Sequence, residues 1–259
     1  MKINMLNVMI VSGFIFSTSS AYAANCLSGC PTGVNNGKTI TRPIYTLKNN
    51  RSTKFADWVA YHVTPNTISG PSRKRKWAAD PDLSSSNTLE PDDYRDAHAV
   101  IGTDRGHQVP LSAFSNTSNW SMTNYLSNIT PQASNLNQGP WAKLETAIRD
   151  YVSQGNDVYV VTGPLYESYF ASLPQADESH TIPSGYFKVV AEQSNNRIYT
   201  SAFIMYQDAG LRDNFCTSEV TIDEIESRAG IDIMPNLSSS VANSVEASTG
   251  GLSRELGCY

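Results

Sequence analysis

Asn135-Leu136-Asn137-Gln138-Gly139-Pro140-Trp141 opens the segment of this chain with the clearest periodicity. From there Trp141, Leu144, Ile148 and Val152 recur at spacings of three and four, which predicts a helix with one apolar stripe. Pro140 suits the first helical position and Gly155 follows the end. The same helix carries Glu145 and Arg149, four apart and off the stripe; on spacing alone they read as an ordinary surface ion pair. A stripe of this kind needs a surface to bury it. Strand patterns supply one at Phe55 to Val63, Val158 to Thr162, Tyr186 to Ala191 and about Ile198 to Met205. The segments joining them are too irregular to be regular helical crossovers. The expected fold class is therefore α+β, a central, largely antiparallel β-sheet flanked by helices. Thr221 should cap a second helix, with Glu224 completing a capping box and Gly230 near its end. Ser238 to Gly251 is rich in Ser, Asn and Gly.

The chain starts with Lys2, an uncharged apolar run to about Phe16, and Ala21-Tyr22-Ala23, the small-x-small form of a secretory cleavage site. Residues 1–23 are therefore expected to be a signal peptide and residues 24–259 one exported domain. The run is shorter than the ~20 residues of a membrane-spanning helix, so no membrane anchor is expected. Losing Lys2 moves the formal charge from -5 to -6. A mildly acidic chain lacks the general basic surface that nucleic-acid binding draws on, so such a function would have to rest on a local patch. Arg73-Lys74-Arg75-Lys76 is the densest one, and it reads equally well as a solvated loop. All four cysteines lie beyond the leader, and an even count in an exported chain favours disulfides. Three pairings are open; sequence neighbours suggest Cys26 with Cys30 and Cys216 with Cys258. A zinc site would want two close cysteine pairs.

Upstream of the helix, after an alternating apolar stretch, stands Asp104-Arg105-Gly106-His107. A neutral imidazole at His107 can take a proton from water. Arg105 offers a planar fork of donors for phosphate oxygens, Gly106 lets backbone approach a ligand, and Pro110 ends the stretch rigidly. Asn137 reads either as a turn residue or as an amide ligand for Mg2+, which keeps most of its waters. No Gly-x-Ser-x-Gly is present, and the cysteines are committed to bridges, which argues against a serine or cysteine hydrolase.

Asp104-Arg105-Gly106-His107, Asn128, Asn137 and the helix with Glu145 and Arg149 together resemble the DNA/RNA non-specific endonucleases, the ββα-metal nucleases. The likeness extends to Asn124–Gln132, Thr162–Tyr166, His180–Ser184 and the cysteine layout. It implies a ββα-metal motif at the site and one Mg2+ per active site, with Mn2+ able to replace it. The residue roles it implies are His107 as general base, Asn137 as the sole direct protein ligand of the metal, and Glu145 orienting the metal's water. Arg75, Arg105 and Arg149 would bind or stabilise phosphate, with Asn124 and Asn128 in support. DNA and RNA, single or double stranded, would be cut to 5′-phosphorylated products, and a homodimer pairing away from the site is open. A non-catalytic exported nucleic-acid-binding protein would use the same arginines but would need neither His107 nor Asn137.

Overall fold

The computed structural model describes residues 24–259; the expected leader, residues 1–23, lies outside the described residues. The strands are β1 (Lys38–Thr41), β2 (Thr46–Asn49), β3 (Ala56–Val63), β4 (Thr103–His107), β5 (Ile129–Ala133), β6 (Val158–Leu165), β7 (Gly185–Ser194), β8 (Arg197–Tyr206) and β9 (Glu219–Val220). The helices are α1 (Ala97–Ile101), α2 (Ser134–Gln138), α3 (Pro140–Ser153), α4 (Ile222–Ala229) and α5 (Ser239–Val245). Seven strands form one sheet in the order β1-β2-β3-β6-β7-β8-β9, with every pairing antiparallel. β4 and β5 form a separate antiparallel ribbon.

Both faces of the sheet are covered, as the alternation along β7 requires. Tyr186 and Val190 join Trp141, Leu144, Ile148 and Val152 of α3 in one core cluster. Phe187 and Val189 join Ile222 and Ile225 of α4 in another. The stripe read from the sequence is thus the face α3 buries, each such side chain contributing about 1.5–3 kcal/mol. A third cluster around Phe55, Leu89, Tyr94, Leu126 and Ile129 includes residues from the β4–β5 region.

Several expectations change. The alternating stretch before Asp104 is a single helical turn, α1, because Asp96 (φ 62°) and Gly102 (φ 67°) both adopt left-handed backbone and bracket it. The four residues after it are strand: His107 pairs with Ile129 and Arg105 with Pro131. Thr221 caps α4 by accepting from the Glu224 amide, but the Glu224 carboxylate pairs with Arg228 instead of returning to the cap. The cysteines pair as their sequence neighbours suggest, Cys26–Cys30 and Cys216–Cys258, the second joining residues 42 apart. Among the described residues no helix is long and apolar enough to cross a membrane.

Candidate active site

The ribbon, α2 and α3 together make a strand–strand–helix unit that rims a cleft of about 1120 Å³. Arg75, Arg105, His107, Asn137 and Glu145 all line it, as do Trp77, Tyr94, Asp104 and Gln138. Two glycines allow this close assembly. A Cβ on Gly106 would stand 2.6 Å from Gln132 Oε1 and 2.7 Å from its Cβ, so Gly106 is there for packing between β4 and β5, not for ligand approach. A Cβ on Gly139 would meet Asn135 O at 2.4 Å and Leu211 O at 2.6 Å. That position breaks α2 from α3 and leaves Asn137 at the cleft wall.

His107 is half-buried, its ring 5.2 Å from that of Trp77. Burial and the nearby charge of Arg75 lower its pKa to about 4, partly opposed by the neighbouring Asn124 amide, so the imidazole is neutral at neutral pH. Its Nε2 has no partner in hydrogen-bond geometry. The other three histidines are otherwise engaged. His62 faces Asp157 and stacks on Tyr159, His180 holds the backbone at Leu173 and Glu178, and His98, on the cleft rim, sits 3.2 Å from Asp104.

Asp104, quoted in the motif but without a role of its own, organises the cleft wall. It accepts from Asn137 Nδ2 at 2.9 Å, Gln138 Nε2 at 2.8 Å and Ser134 Oγ at 2.9 Å. Burial alone would raise its pKa, but these bonds and His98 outweigh it and hold the carboxylate below its usual range. Because Asn137 spends its amide nitrogen on Asp104, Oδ1 is the atom left to accept a cation. Glu145 brings a carboxylate to the same cleft, with its Oε1 on the buried side and without a hydrogen-bond partner. An amide oxygen and a carboxylate on one cleft suit a hard, hydrated divalent ion. Two acidic groupings elsewhere, Glu90, Asp93, Asp177 and Glu178, and Asp223, Glu226 and Glu246, also bring carboxylates together, but none of these residues lines the cleft.

The remaining candidates divide. Arg105 donates to Pro91 O at 3.1 Å, 5.4 Å above the Tyr94 ring. Arg75 is exposed at the cleft edge, and Arg73 beside it lies over Trp120, so part of the basic run does face the site. Arg149 does not line the cleft, nor does it pair with the Glu145 carboxylate. Its guanidinium donates to Glu145 O and Thr146 Oγ1, while the Glu145 carboxylate turns inward to Lys188, 3.9 Å away. The spacing that suggested a surface ion pair is therefore met by a different partner. Asn124 and Asn128 lie beneath the site. Asn128 is fully buried and bonds Val109 through both its N–H and its C=O, fixing the chain just after His107.

Residues 22–240 match the DNA/RNA non-specific endonuclease family. The chain belongs to that family. It is 44% identical over 237 residues to a nuclease of Serratia marcescens, covering 90% of this chain and 89% of the relative. It is 29% identical to human mitochondrial endonuclease G, covering 82% of this chain and 74% of that one. A chain of the solved EndoG/EndoGI complex shares the fold, with a TM-score of 0.73 at 21% identity over 87% of this chain and 96% of that chain. The protein is accordingly an endonuclease, and the alternative of a non-catalytic binding protein is set aside.

Proposed function

We propose that residues 24–259 form one catalytic domain that hydrolyses DNA and RNA, single or double stranded, to 5′-phosphorylated products, and that Mg2+ is its metal. The observation that carries this reading is the presence, in one cleft, of a neutral, half-buried imidazole and an amide whose nitrogen is already committed. His107 takes a proton from the attacking water, which its ring can do without first losing one of its own. Arg75 and Arg105 meet the phosphate oxygens and Asn124 stands beside the His107 ring. Asn128 keeps β4 in register with the residues after His107. Arg149, which does not line the cleft and donates to Glu145 O and Thr146, contributes as a cation behind Glu145 rather than by contact with the phosphate.

Asn137 Oδ1 would hold the metal and Glu145 would accept hydrogen bonds from its water shell. When bound, the ion supplies Lewis-acid stabilisation of charge on the departing 3′ oxygen; Mn2+ could take its place. The groups offered to the substrate are suited to backbone phosphate, so neither base identity nor a 2′ hydroxyl is required. All of them come from one chain, so the site is complete without a second copy. The two disulfides and the small-x-small leader support export.

Plasmid DNA and total RNA incubated with purified protein test the reading. Both should be degraded, chelation should stop this, added Mg2+ should restore it, and His107→Ala should abolish it. Full cleavage by His107→Ala would refute the assignment.

A further inference from the structure

Lys188 breaks the pattern of the central sheet. It stands on β7 between Tyr186 and Val190, on the face that packs against α3, and its exposure is 0%. An ammonium so placed costs several kcal/mol unless its surroundings compensate. Its Nζ is 3.3 Å from Tyr61 Oη, 4.3 Å from the centre of the Trp141 ring and 3.9 Å from Glu145 Oε1. Lys188 does not line the cleft, whereas Glu145 does. Among the described residues Lys188 is the one cation paired with the Glu145 carboxylate, because Arg149 spends its donors on Glu145 O and Thr146.

We propose that Lys188 is a positioning residue for the reaction: anchored by Tyr61 and Trp141 inside the core, its ammonium holds the Glu145 carboxylate from beneath in the orientation the metal's water shell requires. The inference rests on the reading of Glu145 given above. A lysine kept for packing alone would be poorly suited to this place, since an apolar side chain of similar length fills the same space without desolvation cost. Burial lowers the Lys188 pKa to about 8, and the Glu145 carboxylate opposes that shift. Burial raises Glu145, and Lys188 is the largest influence opposing it. Standing 3.9 Å apart on the core side of the cleft, the two groups would each be stranded without the other.

The test is a double-mutant cycle of Lys188→Met, Glu145→Gln and the pair, read in two ways. In chelator, urea denaturation should show that the double variant is more stable than the sum of the single effects allows, because it leaves no unpaired buried charge. With saturating Mg2+, Lys188→Met should lower kcat roughly 10- to 100-fold with the KM for DNA unchanged. Adding it to Glu145→Gln should lower kcat no further. Additive stabilities, wild-type kcat in Lys188→Met, or a further loss of kcat on the Glu145→Gln background would each overturn the inference. Wild-type activity in Glu145→Gln would overturn the reading of Glu145 itself, a distinct outcome.

Discussion

The amide nitrogen of Asn137 donates to Oδ2 of Asp104 at 2.9 Å, tying the end of α2 to strand β4 across 33 positions of sequence. The bond decides which atom of Asn137 faces outward, because an amide that gives its N–H to a carboxylate presents its oxygen elsewhere. It also links His107 and Asn137 mechanically: Asp104 and His107 share one five-residue strand.

Removing that tie should therefore loosen the metal site and spare substrate binding. Asp104→Ala is expected to raise the Mg2+ concentration for half-maximal cleavage roughly 10- to 100-fold. The KM for DNA at saturating Mg2+ should hardly change. Metal titrations of initial rate check both, and an unmoved Mg2+ midpoint would argue that Asp104 does not orient Asn137.

Acid should destabilise the fold in part through His107. An unfolded histidine takes up a proton near pH 6.5, whereas this one does so only at about 4. Between those values the unfolded chain binds more protons, so stability is full above pH 6.5 and falls as pH drops toward 4. In chelator, a plot of urea stability against pH should slope less steeply for His107→Gln than for the wild type across that window. Ring resonances of His107 followed by NMR should titrate well below 6.5.

Gly106 offers a packing test independent of chemistry. Alanine there forces the Gln132 side chain aside, since its Oε1 and Cβ both crowd the added methyl. Gly106→Ala should cost about 1–3 kcal/mol in urea denaturation. A stability equal to wild type would mean that the β4–β5 ribbon yields freely.

The Cys216–Cys258 bridge fastens the C-terminal segment, whose Leu252 and Leu256 belong to the core on the α3 side of the sheet. Replacing both cysteines with serine should lower stability by about 4 kcal/mol. Mass spectrometry showing free thiols in the exported protein would contradict the assigned pairing.

The range of each interaction determined how far the sequence could be read. Helix α3 was readable because Trp141, Leu144, Ile148 and Val152 keep one period for over three turns. The long strands β3, β7 and β8 were readable because apolar residues dominate them. The β4–β5 ribbon was not, since Thr103, Asp104 and Arg105 face Ala133, Gln132 and Pro131 and show no strand alternation. Cleft residues with a chemical signature, His107 and Asn137, could be proposed from their motif. Asp104 and Lys188 could not be assigned roles, because each acts through a side chain 33 or 43 positions away. Glu145 was placed on the correct helix but given the wrong partner, because local spacing favours Arg149 and only the sheet supplies Lys188.

Base and metal are proposed to share one cleft. Crystals of His107→Ala with a short oligonucleotide and Mn2+, measured for anomalous scattering, address it directly. One strong peak is expected within about 2.2 Å of Asn137 Oδ1, with a phosphate between it and the position of the missing ring. Manganese bound only at Glu90, Asp93, Asp177 and Glu178, with nothing at Asn137, would contradict it.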